Sequence, residues 1–399
     1  MAKTLPSSNH LLYLDGLRSL AAIFVVAHHA VIQFYFFDVK NLTGLKKILI
    51  SRFFQGHFAV DLFIVLSGFC LMMPVVKSNY KLKGGAYFFY KKRAIRIIPT
   101  YYIAIIFSLF LITFFIGNKT GTHWDASIPV TTTAFLADLF FIQDFFYSTV
   151  SKINHVFWSI AVESRIYILF PLLIFIYKKM NAIWSVGLSI IISVLFYYTL
   201  KYINSINNFI PIEIAGLSPY LILFTLGMVS ADICFANELK YKFLIKFPWN
   251  KSLFVLSILI VILPALIHHN IIIWQGGDVI VGLWSMNLLI VCYKETIKPT
   301  KAVWIKNFLS WQPLVFVGTF AYSLYLTHAP LLQIITQYLI LPMQLSLFNS
   351  TILILVIGIP VCIGFGYIFF LLFEKPFLTL GKKVKYKEIE AITAVNPAI

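Results

Sequence analysis

The sequence predicts an all-α protein that crosses a membrane many times. Of its 399 residues, 60% are hydrophobic and only 12% are charged, whereas soluble domains are about half apolar and about one quarter charged. The mean hydropathy is +0.87. Lys and Arg stand in short segments between long apolar runs, which is typical of membrane-protein loops, so the net charge of +17 does not indicate a nucleic-acid partner.

Ten apolar runs are long enough to be membrane-spanning helices, each of which needs about 20 residues. They lie at about 12–37, 57–76, 97–117, 156–177, 182–200, 210–232, 252–268, 276–293, 311–337 and 350–373. The stretch 133–147 is also apolar, but it is short and interrupted by Asp138, Gln143 and Asp144. We therefore expect this stretch to be an interfacial or re-entrant segment and not a span.

The distribution of basic residues predicts the orientation of these helices. With the N-terminus in the cytosol, 23 Lys and Arg residues fall on the cytosolic side and seven on the other side, as the positive-inside rule requires. We expect a multi-pass protein of the cell (inner or plasma) membrane with both termini in the cytosol. Residues 11–377 are then the membrane domain and residues 378–399 a short basic tail, with no soluble domain.

The four cysteines do not indicate a metal site or a disulfide framework. They lie inside apolar runs, without the spacing of a Cys or His ligand set, at positions Cys70, Cys234, Cys292 and Cys362. We therefore expect small buried side chains and no bound metal.

Ionisable residues inside the first apolar run are the first candidate site. Asp15, Arg18, His28 and His29 all lie in this run, although such groups are costly in a bilayer. Eleven residues are about three helical turns, so Arg18 and His29 share a face and lie about 16 Å apart. A cation at one end and an imidazole deeper in the membrane suit a long molecule with an anionic head. Because His28 points about 100° away, His29 is the better candidate for a general base.

A second cluster precedes the predicted third span. Arg93 and Arg96 are three residues apart on one helix face, next to Lys92. A guanidinium group can donate two parallel hydrogen bonds to phosphate oxygens, so we interpret this segment as a phosphate-binding surface. Basic segments beside a membrane are also common topology signals. In the second span, Asp61 adds an acidic group.

Two further spans carry polar side chains on one face. Glu163 and Tyr167 share a face after Trp158, and Glu163 is expected to find its partner on another helix. A buried carboxylate of this kind can be catalytic or can tie helices together. In the ninth run, Tyr322, Tyr325 and His328 occupy successive turns.

Taken in order, these residues resemble the membrane-bound acyltransferase family three. The matching motifs are Leu14-Asp-Gly-Leu-Arg18 with His29, Phe63 to Phe69, Arg93 to Pro99, Trp158 to Pro171, Tyr322 to Pro330, and Glu374-Lys-Pro376. The chain departs from the family pattern at Ser164-Arg165-Ile166 and at Thr327.

The resemblance implies an O-acyltransferase that moves an acyl group, usually acetyl, from cytosolic acyl-CoA (acetyl-CoA) to a hydroxyl group. It implies that Arg18, Arg93 and Arg96 surround the CoA phosphates and pantetheine, with Lys92 beside them, and that His29 is the catalytic base. Glu163 is a second catalytic candidate. The remaining candidates contact the acceptor or connect helices, and they are Asp15, Asp61, Trp158, Tyr167, Tyr322, Tyr325, His328 and Glu374.

The expected partners are acyl-CoA, membrane lipids and a polysaccharide or lipid-linked glycan, such as O-antigen, capsule or exopolysaccharide. One alternative acceptor is a small metabolite such as a macrolide. A different class, a proton-coupled secondary transporter, also places Arg, His and Glu in its spans. A transporter predicts inverted repeats, which the sequence does not show, and no dependence on CoA. A non-enzymatic partner of a polysaccharide export complex is a third possibility.

Overall fold

A computed structural model describes most of the chain, namely residues 11–35, 44, 50, 53–211, 215–236, 243–300 and 303–381. Within these residues the chain is helical or in turns, with no β-strand. The helices in chain order are α1 (Leu12–Tyr35), α2 (His57–Lys77), α3 (Gly85–Leu111), α4 (Thr132–Leu139), α5 (Trp158–Met180), α6 (Ala182–Asn207), α7 (Tyr220–Phe235), α8 (Phe243–Lys246), α9 (Trp249–His268), α10 (Trp274–Ile297), α11 (Val303–Leu309), α12 (Gln312–Gly318), α13 (Ala321–Ile335) and α14 (Leu347–Phe369).

Nine helical segments of the described chain are long and apolar enough to cross a membrane, which confirms a polytopic all-α membrane protein. The tenth predicted run, 210–232, forms only the 16-residue helix α7. The difference has a physical reason, because Pro211, Gly216 and Pro219 precede the helix and keep its start at Tyr220. The last span is longer than predicted and extends from Leu347 to Gly381.

Helix α7 runs parallel to α2 in the centre of the bundle. Their backbones touch, since a Cβ atom added to Gly68 would lie 2.1 Å from the Phe224 carbonyl oxygen. One end of α7 lies near the start of α2, where Tyr220 and His57 line the same cavity. This close approach of small residues, common between membrane helices, places the start of α2 and the start of α7 at the same end.

The stretch 133–147 was predicted not to span the membrane, and in the structure it forms no spanning helix. It contains α4, whose eight residues are about 12 Å long, and a short turn. The interrupting polar residues anchor it, because Tyr101 donates to Asp138 (2.9 Å) and Arg165 donates to both oxygens of Asp144. Burial raises the pKa of Asp138 to about 8, against the opposing effect of the Tyr101 hydrogen bond.

Two predicted runs have different boundaries in the structure. Helix α3 begins at Gly85, twelve residues before the predicted run, so Arg93 and Arg96 lie within the third long helix and not in a segment that precedes it. Hydropathy marks only the apolar part of a helix, whereas the helix itself continues through polar sequence. The ninth run is divided between α12 and α13, and a Cβ on Gly318 at this break would lie 2.0 Å from the Asp15 carbonyl oxygen.

Candidate functional site

Two cavities adjoin inside the bundle. The arginine cavity, of about 520 Å³, lies toward the start of α1 and the end of α2, and the charged groups in its wall are Asp15, Arg18, Arg93, Arg96, Glu163 and Glu374. The histidine cavity, of about 410 Å³, lies toward the opposite end, and its wall includes His28, His29, His57, His123, His155 and Trp158. Val60 and Tyr325 line both cavities and separate them.

Arg18 is held in the arginine cavity by two neighbours. Its guanidinium donates to the Asp15 carboxylate at 2.6 Å and to the Cys70 sulfur at 3.0 Å. The side chain of Arg18 remains 27% exposed, so it keeps donors that can reach a ligand. Within this part of α1, a Cβ on Gly16 would lie 1.7 Å from the Leu309 carbonyl oxygen, so α11 packs directly against the α1 backbone.

Arg93 and Arg96 line the same cavity from α3, one turn apart. Arg93 is half-buried, and its guanidinium lies over the rings of Phe89 (5.9 Å) and Tyr167 (5.7 Å). Its Nε atom has no hydrogen-bond partner among the described residues. Arg96 is exposed to the cavity opening. The arrangement leaves guanidinium donors available for an anion.

The two glutamates of the arginine cavity accept hydrogen bonds from neutral donors. Glu163 accepts a hydrogen bond from Ser67 on α2 at 2.9 Å and another from Tyr167 on its own helix. This confirms that Glu163 pairs with another helix. Glu374 is buried and accepts a hydrogen bond from Ser323 at 2.5 Å. Neither carboxylate lines the histidine cavity, and Glu163 as a catalytic residue stays a prediction.

His29 lies within a group of imidazoles in the histidine cavity. Its ring centroid is 4.8 Å from those of His28 and His155, 5.1 Å from that of His328, and 6.5 Å from that of His123. These rings come from α1, from α13 and from the segments before α4 and α5. Four imidazole rings therefore surround the candidate base.

His155 makes the closest polar contact of His29. The His155 Nε2 and His29 Nδ1 atoms are 3.2 Å apart, and the other ring nitrogen of His155 lies 3.0 Å from the Ser127 hydroxyl oxygen. Burial, together with neighbouring imidazoles, holds the pKa of His155 well below its usual range, so this ring is neutral at neutral pH. When its Nδ1–H donates to Ser127, its Nε2 accepts from His29 Nδ1–H, which leaves His29 Nε2 able to accept a proton.

Two other histidines are fixed by backbone carbonyl groups. His28 Nδ1 lies 2.6 Å from the Phe53 carbonyl oxygen, and His328 Nδ1 lies 2.7 Å from the Tyr325 carbonyl oxygen. His328 is fully buried, and its Nε2 has no hydrogen-bond partner among the described residues. His28 also lines the histidine cavity, although helical geometry predicted that it points away from the Arg18 face.

Tyr325 forms the boundary between the cavities. Its hydroxyl group lies 2.6 Å from the Ser159 oxygen and donates to the Val156 carbonyl at 2.9 Å. Trp158 lies on the histidine side and packs against Tyr220, with ring centroids 5.9 Å apart. A ligand passing between the cavities therefore contacts the Tyr325 ring.

The structure brings most of the predicted site residues to these cavities, but not all. Lys92 lines neither cavity, and its Nζ atom lies over the Phe88 ring at 5.5 Å. Asp61 is buried beside the histidine cavity near His57 and Asp278. Sequence reasoning missed the histidines of the connecting segments, His123 and His155. The Asn154-His155 pair just before Trp158 was the available signal, since it is polar sequence next to an apolar run.

A family model described as an acyltransferase domain matches residues 11–371. The chain is also 24% identical over 351 residues to O-acetyltransferase OatA of Staphylococcus aureus strain NCTC 8325 / PS 47, and equally to OatA of strain COL. Each match covers 83% of this chain and 52% of the relative, so the chain spans about half the length of these curated relatives. No solved structure matches.

The fold and the cavities define a polytopic membrane protein with basic and imidazole groups facing its interior. Because the family model covers nearly the whole chain, the protein belongs to the membrane acyltransferase family. This confirms the family resemblance drawn from the sequence motifs, and it favours an acyltransferase over the alternative of a secondary transporter.

Proposed function

We propose that the protein transfers an acetyl group from acetyl-CoA to a hydroxyl group of a glycan at the cell surface. The observation that carries the proposal is the contact of the arginine cavity with the histidine cavity across Val60 and Tyr325. One cavity offers cations for an anionic donor, and the other offers a base.

The arginine cavity suits the donor. Acetyl-CoA carries phosphate groups on a long, thin pantetheine arm, and Arg18, Arg93 and Arg96 supply guanidinium groups along one cavity. With the phosphates at the cavity opening, the thioester end would extend to Val60 and Tyr325. This placement puts the reacting carbonyl at the boundary between the cavities.

The histidine cavity suits the acceptor. His29 would remove the proton of a bound hydroxyl group while its oxygen attacks the thioester carbonyl. A carbon–oxygen bond forms, the carbon–sulfur bond breaks, and the proton passes from His29 to the departing CoA thiolate. His155 holds the His29 ring through the 3.2 Å contact and keeps its far nitrogen available. Trp158 offers a face on which a sugar ring can stack.

The relatives support the acetyl group and the oxygen acceptor, because both are named O-acetyltransferases. The glycan is inferred from the family resemblance, in which standalone members act on O-antigen, capsule and exopolysaccharide. The chain spans about half of each relative. The acceptor of the relatives is therefore not carried over, and the glycan is proposed for this chain separately.

The test has two arms. Purified protein in lipid vesicles is supplied with radiolabelled acetyl-CoA, and donor binding and the release of free CoA are measured. Surface glycans are then analysed by mass spectrometry from cells that lack the protein, cells that express it, and cells that express His29→Ala at the same membrane level. We expect saturable donor binding, and acetylated glycan only with the unmodified protein.

Two outcomes would contradict the proposal. Unchanged surface glycans with an acetylated small metabolite in the extracts would assign the alternative acceptor. Absence of acetyl-CoA binding would reject the donor, and with it the acyl-transfer mechanism.

The proposal also requires the arginine cavity to open to the cytosol, where acetyl-CoA is made. Lys83 and Lys201 are exposed at opposite ends of the bundle, and Lys83→Cys and Lys201→Cys can be labelled with a membrane-impermeant thiol reagent on intact cells. The native cysteines are replaced first, with Cys70→Ser to keep an acceptor for Arg18. We expect labelling at position 201 only; labelling at position 83 would reject the donor route.

A further inference from the structure

Three side chains with metal-binding atoms meet beside the histidine cavity, and one of them, His57, lines its wall. They are His57 and Asp61 on α2 and Asp278 on α10, and one donor atom from each lies within 4.8 Å of the others. His57 and Asp61 are four residues apart, so both face α10 from one side of α2. The three ligand atoms therefore come from two helices that pack against each other.

In the described part of the chain, the two carboxylates are buried without a Lys or Arg partner. Asp61 is 0% exposed and Asp278 is 1% exposed. Among the described residues, the only ion-pair partner of either is His57, whose Nε2 lies 2.8 Å from an oxygen of Asp278. Two adjacent carboxylates in a membrane domain repel each other and are costly unless a cation or a proton neutralises them.

Within this cluster, the Asp61 carboxylate is the group that most needs a neutralising partner. Both of its carboxylate oxygens are buried and have no hydrogen-bond partner among the described residues. A proton shared with Asp278 would satisfy only one of these oxygens. A divalent cation would balance the charge of both carboxylates at once, and it would bind an oxygen of Asp61 directly.

The geometry and the donor types suit a zinc-like ion. Zn–N and Zn–O bonds of about 2.0–2.2 Å place tetrahedral ligand atoms about 3.4 Å apart, which is inside the 4.8 Å limit of the cluster. The ring of His57 is fixed by stacking on Trp274, with centroids 4.3 Å apart. His57 and Trp274 also line the histidine cavity, so a fourth ligand can reach the ion from that cavity.

From these observations we infer that His57, Asp61 and Asp278 form a binding site for one divalent zinc-type cation. The ion ties α2 to α10 and leaves one coordination position toward the histidine cavity. This site is separate from the proposed donor and base, and it replaces the sequence-based expectation of no metal.

The experiment measures zinc on the full chain, purified in detergent without a histidine tag. The protein is treated with EDTA, incubated with ZnCl₂, separated from free metal, and analysed by elemental mass spectrometry. We expect about one Zn²⁺ per chain and a higher melting temperature after loading. Asp61→Asn and Asp278→Asn should each weaken zinc affinity at least about tenfold.

Matched controls separate this site from other histidines. His268 and His269 lie at the end of α9, outside the cluster, so His268→Gln with His269→Gln should leave zinc binding unchanged. If an Asp variant does not give monodisperse protein, His57→Gln decides, because its side chain is 15% exposed and lies at the cavity wall.

Three results would overturn the inference. The first is no retained zinc and no change in melting temperature in the unmodified protein. The second is zinc retained equally by His57→Gln and by whichever Asp variants fold. The third is an X-ray absorption spectrum with only imidazole ligands, accompanied by loss of zinc in His155→Gln, which would place the ion among the histidines around His29. None of these measurements depends on acyl transfer.

Discussion

The arginine cavity and the histidine cavity are assembled in different ways. In the arginine cavity, Arg18 bonds to Asp15 three residues away, and Tyr167 bonds to Glu163 four residues away. In the histidine cavity, the nearest polar neighbour of His29 is 126 residues distant in sequence. Local helix periodicity therefore accounts for part of the arginine cavity, which contacts between helices such as Ser67 to Glu163 complete, whereas long-range packing supplies the nearest polar neighbour of His29.

The proposed function gives donor binding to the arginine cavity and proton transfer to the histidine cavity. Variants in the first should therefore change donor affinity, and variants in the second should change turnover. The largest effect is expected from the histidine cavity. His29→Ala should lower acetyl transfer at saturating acetyl-CoA by at least about 100-fold, the usual minimum contribution of a general base. Acetyl-CoA binding should remain, because His29 lies outside the arginine cavity.

His28→Ala is the matched control for this variant, since it removes an imidazole one residue away. His28 bonds to the Phe53 carbonyl group, so part of the activity should remain. Equal loss in both variants, at matched amounts of protein in the membrane, would reject His29 as the base.

The second effect should appear as lower donor affinity. Arg93→Ala and Arg96→Ala should each weaken acetyl-CoA binding about tenfold to 100-fold, because a hydrogen bond to a charged group contributes about 1.5–3 kcal/mol. Calorimetry or equilibrium binding on purified protein measures this change. Lys92→Ala is the control with the same loss of charge on the same helix, and its side chain lies over Phe88, outside the cavity walls.

A change in affinity as large in Lys92→Ala as in the arginine variants would show that the general positive charge of α3 attracts the donor. Unchanged affinity in Arg93→Ala and Arg96→Ala would return this basic segment to a topological role.

Much of this molecule can be predicted from sequence, for reasons that differ between regions. Arg93 and Arg96 are three residues apart in one helix, so their common face can be predicted from helical periodicity. The start of α3 at Gly85 is not visible in hydropathy, because the basic residues between positions 91 and 96 separate its first, aromatic turns from its long apolar part. His155 and Asp278 meet their partners through long-range packing, which neither periodicity nor composition records.

A third, intermediate effect tests the neighbour of the base. His155→Gln should lower the turnover number about tenfold, whereas the KM for acetyl-CoA should stay the same, since His155 contacts only the histidine cavity. The expected reason is loss of the contact that orients His29 Nδ1. Steady-state kinetics over a range of donor concentrations separates the two constants, and a raised donor KM would indicate general disruption instead.

Ser127→Ala should show a weaker form of the same behaviour. The Ser127 hydroxyl group lies 3.0 Å from His155 Nδ1 and does not reach His29. In this arrangement Ser127 holds His155, and His155 holds His29. A larger loss of turnover in Ser127→Ala than in His155→Gln would contradict it.

The smallest effect is expected at the boundary of the two cavities. Tyr325→Phe keeps the ring that separates them and removes the hydroxyl contacts to Ser159 and the Val156 carbonyl. A neutral hydrogen bond contributes about 1 kcal/mol, so we expect a loss of about fivefold in turnover, with unchanged donor affinity. Tyr322→Phe, one turn earlier, is the control because Tyr322 lines only the arginine cavity. If the cavities act in sequence, Tyr325→Phe changes turnover and Tyr322→Phe changes at most the donor KM; the reverse pattern would show that transfer does not pass Tyr325.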